Sequence, residues 1–293
     1  ESRLGRGKEV KTDLLVDALG KYAEGKKSNE HYKNTGTTVK KYAPTITFSA
    51  ITPKWLEGFE EHLKSKESSQ STIAHHMRHI RAVWNDAKRK NLVKEERYPF
   101  GVGKYVIPQT THSKKLTSKS DLQKLISFES NTSYLQFARD IYLFSFFCGG
   151  ANPIDVFSLK LENVTEGAIK FMRTKTEVAT QIPVIDLLKG ILERYNGGTY
   201  LFPVAGKDLE KDSSNARMRI NRNLKKIVDH DEISLSHARN SFSSYATLSG
   251  MPRPLVSNLM AHSAKTMTEG YMSFPIDDKR ESLVRLLEYI LKR

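Results

Sequence analysis

The sequence predicts a mainly α-helical chain with a small antiparallel β-sheet, organised as two bodies. Three observations predict it. Apolar residues recur at helical spacing through the first hundred residues. Two short strand-like runs, Ala168–Met172 and Gln181–Ile185, flank the polar Arg173-Thr174-Lys175-Thr176, which reads as a hairpin. Between these regions, Gly101, Gly103, Pro108 and Ser113-Lys114-Lys115 have the composition of a linker. The reading places a first domain at 1–105, a linker at 106–116 and a second domain at 117–293. At 293 residues and 38% hydrophobic content, the chain is long enough to bury two cores.

In chain order, Val10, Leu14, Leu15, Ala18, Leu19 and Tyr22 form one helical stripe. Tyr32, Val39 and Tyr42 follow at looser helical spacing. Thr52-Pro53 is a capping residue with proline at the first helical position, and it opens a helix to Lys66 that buries Leu56, Phe59 and Leu63. The cluster Ser68-Ser69-Gln70-Ser71-Thr72 starts a long helix with Ile73, Met77, Ile80, Val83, Trp84 and Ala87 inward. Its other faces carry His75, Arg78, His79, Arg81, Lys88 and Arg89. The first domain is therefore a four-helix bundle with one strongly basic helix. Past the linker, helices are expected at Asp121–Phe128, Leu135–Phe147, Asp186–Tyr195, Ser214–Val228, Ser236–Leu248, Pro254–Ala261 and Asp277–Leu291. The last is amphipathic through Leu283, Leu286, Leu287 and Ile290. Packing on its own chain is the default, and docking on a neighbouring protomer is the alternative.

Lys and Arg number 47 against 33 Asp and Glu, a net charge of +14 shared between both halves of the chain. That balance favours a polyanionic partner, nucleic acid before an acidic membrane surface. No apolar run approaches the roughly 18 residues of a membrane span. The single cysteine, Cys148, excludes a disulfide framework and a thiolate zinc site, and with no signal peptide the expected location is cytoplasmic. His75 and His79 have i, i+4 zinc spacing, but no supporting ligand pattern accompanies them, so no metal is expected. Gly149-Gly150 reads as a turn, because no Gly-Lys-Ser/Thr follows it.

Three features of the second domain carry chemical potential. They are Ser236-His237-Ala238-Arg239 at a helix start, Ala261-His262-Ser263 followed by Tyr271, and Lys175 at the hairpin tip. Each alone is weak; their order and spacing carry the weight. The stretch SLSHARNSFSSYATLSGMPRPLVSNLMAHSAKTMTEGYMSF resembles the signature of the tyrosine recombinases, the phage-integrase family. Arg239 matches the family's second arginine, His262 the third-box histidine and Tyr271 the nucleophile. IKFMRTKTEVATQIPV resembles the strand pair that carries the catalytic lysine, at Lys175. FSFFCGGANPIDVFSLKLENV resembles the first box, where Asp155 and Leu159 match but Asn152 stands at the arginine position. STIAHHMRHIRAVWNDAKRKNLV resembles a helix of the SAM-like core-binding domain.

The resemblance implies a site-specific recombinase that cuts and rejoins double-stranded DNA through a 3′-phosphotyrosyl intermediate, without metal or cofactor. It implies a homotetramer on synapsed DNA, with a host DNA-bending protein as accessory partner. Ser236 stands where the family often has histidine; His237 is the adjacent alternative, about 100° away around the helix. The charge missing at Asn152 calls for another cation, for which Arg173 is a candidate. Alternative readings are a DNA-binding accessory relative that has lost cleavage, a type IB topoisomerase, and a basic protein of membrane surfaces.

Overall fold

The computed structural model of the chain describes residues 14–292 except 25, 27–28, 110–113, 166, 196–197, 204–208 and 264–271, and only the backbone of 209–211. It divides into two compact units, Glu1–His112 and Ser113–Arg293.

The first unit holds α1 (Leu15–Glu24), α2 (Asn29–Tyr42), α3 (Pro53–Ser65) and α4 (Gln70–Arg89). Thr52 caps α3 by accepting from the Trp55 amide, and Ser69 caps α4 by accepting from Thr72. Leu15, Leu19, Val39, Leu56, Phe59, Leu63, Ile73, Met77, Ile80 and Trp84 close into one core. Each such side chain contributes about 1.5–3 kcal/mol on burial. Val10, expected on the first stripe, lies outside the described residues.

The histidines of α4 correct the expectation. His79 does not face solvent: it is buried, as is His76, and both ring Nδ1 atoms meet Thr35 of α2, at 2.7 and 2.9 Å. The Thr35 hydroxyl also donates to the His31 carbonyl at 3.1 Å. A hydroxyl has one proton and two lone pairs, so with its proton on that carbonyl both rings must donate through Nδ1–H. The His79 ring also lies tilted against Tyr32, at 4.1 Å between ring centres, and edge-on to His75, at 4.3 Å. Sequence pattern missed this polar seam because Thr35, an ordinary surface residue type, supplies the partner. Among the described residues, no group of three His, Cys, Asp or Glu is arranged to hold a metal.

The seam makes the first unit acid-sensitive. Burial first, then the neighbouring His75, His76 and His31, lowers the His79 pKa to about 4. Burial likewise lowers His76, and lowers His75 together with His31 and Arg78. Between pH 6.5 and 4 the unfolded chain binds protons that the folded unit refuses. Stability is therefore complete above pH 6.5 and falls as the pH drops toward 4, by about 2 kcal/mol at pH 5 from His79 alone. Both tryptophans of the chain, Trp55 and Trp84, lie in this unit, so urea titrations followed by tryptophan fluorescence read it selectively. A midpoint unchanged from pH 7 to 5 would contradict the account.

The second unit begins with α5 (Lys119–Ser127), α6 (Ser133–Phe147) and α7 (Pro153–Phe157). A three-stranded antiparallel sheet follows, in the order β1 (Val164–Thr165), β2 (Ala168–Arg173) and β3 (Val178–Pro183). Then come α8 (Asp186–Arg194), α9 (Leu209–Val228), α10 (His237–Leu248), α11 (Arg253–Leu259) and α12 (Ile276–Leu291). From Ala138 to Phe147 every residue of α6 is buried. A helix buried on all sides belongs at the centre, and α6 occupies it with α9 and α10 against it.

Several boundaries differ from expectation. Strand β3 starts at Val178, not Gln181, because Arg173 pairs with Val178 across a four-residue turn. Glu177 closes that turn at φ +54°, its amide donating to the Arg173 carbonyl at 2.8 Å. The two-residue β1 and five-residue α7 are too short to leave a periodic signal, and α9 begins at Leu209 rather than Ser214. Helix α12 packs on its own chain. Leu283, Leu286 and Ile290 are fully buried, and Arg280 donates to the Val184 and Gly167 carbonyls. Among the described residues, no helix is long and apolar enough to cross a membrane.

Candidate active site

The site is assembled by a glycine pair at the end of α6. Gly149 and Gly150 have φ of +69° and +66°, conformations that residues with a side chain rarely adopt. An added Cβ on Gly150 would lie 2.3 Å from the Cα of Arg239, and one on Gly149 would lie 2.0 Å from the Leu259 carbonyl oxygen. The bare backbone therefore lets the α6–α7 turn seat directly on α10 and α11. That contact brings Asn152 beside the start of α10.

Arg239 is locked there. Its Nη1 donates to the Gly150 carbonyl at 3.1 Å and its Nη2 to the Met260 carbonyl at 2.9 Å. Burial first, then the neighbouring Arg173 charge, lowers its pKa to about 10, while Asp155 opposes that shift. The guanidinium is thus charged at neutral pH, partly desolvated, and held in one orientation. Fixed charge in a partly dry site stabilises an anion more than a mobile one does.

A cleft of about 720 Å³ opens at this point, lined by Asn152, Pro153, Ile154, Thr174, Ser213, Ser214, Arg217, Ser236, Arg239 and Asn240. Three of the six residues singled out in the sequence, Asn152, Ser236 and Arg239, therefore share one cavity. Ser236 is the N-cap of α10 and exposed. Its alternative, His237, does not line the cleft. The buried Nδ1 of His237 has no hydrogen-bond partner, and burial first, then Lys115, lowers its pKa.

Lys175 is exposed in the turn between β2 and β3. Two hydrogen bonds hold that turn at the site. The Asp155 carboxylate accepts from the Thr174 amide at 2.9 Å, and the Thr176 hydroxyl donates to the Ala261 carbonyl at 3.2 Å. Ala261 itself sits at φ +50°, so alanine occupies a left-handed position that favours glycine. His262 follows, exposed, its amide donating to the Ser257 carbonyl at 3.1 Å. Tyr271 lies outside the described residues.

Arg173 ends β2, buried, with no hydrogen-bond partner on its Nε; it does not line the cleft. Sequence reasoning did not place Arg217, Thr174, Ser213, Ser214 or Asn240 at the site. These positions lie on separate elements, and no spacing in the sequence joins them.

The sequence model of the phage integrase SAM-like domain matches residues 14–107. No curated protein sequence matches the chain. Among solved structures, a lambda integrase dimer bound to a COC′ core site aligns with TM-score 0.66 at 16% identity, covering 89% of this chain and 99% of that one. The Tn1549 transposon integrase in complex with a circular intermediate DNA aligns with TM-score 0.67 at 15% identity, covering 93% and 99%. A lambda integrase tetramer bound to a Holliday junction aligns with TM-score 0.66 at 14% identity, covering 88% and 76%. The fold is that of the lambda and Tn1549 integrases.

Proposed function

We propose that this chain, with a phage integrase SAM-like domain at residues 14–107 and the fold of the lambda and Tn1549 integrases, is a site-specific DNA recombinase acting through a 3′-phosphotyrosyl intermediate. One observation carries the reading. The locked, partly buried Arg239 shares a cleft with Asn152 and Ser236, and the hairpin turn bearing Lys175 is tied to that cleft from both sides.

In this reading the cleft receives the scissile phosphate. The Tyr271 phenol gives its proton to water and its oxygen attacks phosphorus; the bond to the 5′-oxygen breaks, and Lys175 protonates that leaving oxygen. Arg239 neutralises the nonbridging oxygens through its planar fork, and His262 adds a hydrogen bond to the same charge. The phosphotyrosyl ester keeps the bond energy, so a second 5′-hydroxyl can reverse the step without cofactor. Four protomers on two duplexes form the assembly that exchanges strands. Phosphate contacts dominate affinity, so binding falls steeply with salt.

The test is a nicked half-site that traps the covalent intermediate. Wild type is expected to give a protein–DNA adduct on a denaturing gel, and Tyr271→Phe none. Arg239→Ala is expected to slow adduct formation by about 10²–10³-fold. Asn152 favours one rival reading, an accessory protein without cleavage; tight binding with no adduct would establish it. Relaxation of supercoiled plasmid lacking a recombination site would favour a type IB topoisomerase.

A further inference from the structure

The cleft around Arg239 has Asn152 where a second guanidinium is expected, and a phosphate passing through a pentacoordinate state needs both nonbridging oxygens neutralised. We infer that Arg217, on α9, supplies that second charge. The inference rests on the recombinase reading above and adds a residue from an element that carries none of its expected catalytic groups.

Four observations converge on Arg217. It lines the same cleft as Asn152 and Arg239. Its helix is oriented by Ala216, Ile220 and Leu224, which are buried in the core, and this leaves Arg217 exposed. Asn221, one turn further along the same face, accepts from the Leu235 amide at 2.8 Å, just before Ser236. That bond pins this face of α9 against the start of α10, where Arg239 resides. Finally, among the described residues no carboxylate forms an ion pair with Arg217, so its five donors remain available for an anion.

The other nearby cations fit the role less well. Arg173 is buried and does not line the cleft, and its charge acts on Arg239 from within the protein. Arg219 lines a different cavity, with Tyr134, Phe137 and Tyr195. Two residues along a helix is a rotation of about 200°, which accounts for the separation of Arg217 from Arg219. Lys175 is already engaged as the acid for the leaving oxygen.

A nicked half-site carrying either an ordinary phosphate or a neutral methylphosphonate at the scissile position tests the assignment. Strand cleavage is measured at saturating protein for wild type, Arg217→Gln, Arg217→Lys and Arg173→Gln, with thermal melting as a check on folding. Arg217→Gln is expected to melt like wild type and to slow cleavage of the phosphate by about 10²-fold. On the methylphosphonate, which already lacks one charge, the same substitution should slow cleavage less than tenfold. Arg217→Lys should recover part of the loss on the phosphate.

Two results would overturn the assignment. In one, Arg217→Gln weakens binding but cleaves at the wild-type rate once saturated, which places Arg217 on a flanking phosphate. In the other, the rescue by methylphosphonate appears with Arg173→Gln and is absent with Arg217→Gln. A wild-type protein that binds the half-site yet cleaves neither substrate removes the recombinase reading itself, a distinct outcome.

Discussion

A Gly150→Ala variant is expected to lose about 3 kcal/mol of stability in the second unit and at least 10²-fold in strand cleavage. The added methyl group has nowhere to go. It would stand 2.3 Å from the Cα of Arg239 and 2.8 Å from its Cβ, and neither atom can rotate away. Overpacking of this kind costs about 1–3 kcal/mol. The left-handed φ of +66° adds about 1–2 kcal/mol for any residue with a Cβ. Relief requires α10 to move away from the α6–α7 turn, which breaks the bond from Arg239 to the Gly150 carbonyl and shifts the guanidinium. A displacement of about 1 Å at a reacting centre is enough for a 10²-fold loss. Gly101→Ala is the control. Its φ is +116°, yet nothing lies within 4 Å of the added Cβ, so only backbone strain is introduced. Thermal melting and cleavage of the nicked half-site read both variants. If Gly150→Ala melted and cleaved like wild type, close backbone approach would not be what assembles the cleft.

The Gly149-Gly150 pair also marks where sequence reasoning stopped. It was legible as a turn, and the turn is there. What it seats against was not legible, because Arg239 and Leu259 are about 90 and 110 positions further on and no local pattern encodes such a contact. Helices α3 and α4 were readable nearly to the residue, since caps at Thr52 and Ser69 and a strict apolar stripe act locally. The register of β3 was not, because an αL residue at Glu177 moves the strand start by three positions and glutamate gives no sign of it. Of the residues lining the cleft, Asn152, Ser236 and Arg239 had been singled out through motif order. Arg217 and Thr174 were not, since they reach the cleft only through the tertiary path of α9 and the hairpin. His79 shows the same limit in the first unit: charge pattern placed it outside, and a threonine on another helix holds it inside.

The buried carboxylate of Asp140 carries the second large expectation, that Asp140→Asn will destabilise the second unit by about 3–5 kcal/mol. Asp140 is fully buried and takes hydrogen bonds from four side chains. Gln136 donates at 3.1 Å, Arg139 at 2.7 Å, Arg194 at 3.2 Å to each oxygen, and the Tyr195 hydroxyl at 2.9 Å. Arg139 also donates to the Leu125 and Ile126 carbonyls, so one ion pair fastens the end of α5, the middle of α6 and the end of α8. Burial first, then the Asp140 charge, raises the Tyr195 pKa, which keeps the phenol a donor. Asparagine keeps the shape but replaces one acceptor by a donor that faces donors. It also leaves the buried Arg139 without its counter-charge. A unit of this size should melt roughly 10 °C lower. Two variants separate charge from packing. Tyr195→Phe removes one neutral donor and should cost about 1 kcal/mol. Arg194→Ala removes a partner that is 39% exposed, and its loss should stay near the 1 kcal/mol of a surface pair. If Asp140→Asn cost no more than these two, the carboxylate would be acting as an ordinary hydrogen-bond acceptor and not as the charge that holds Arg139 inside.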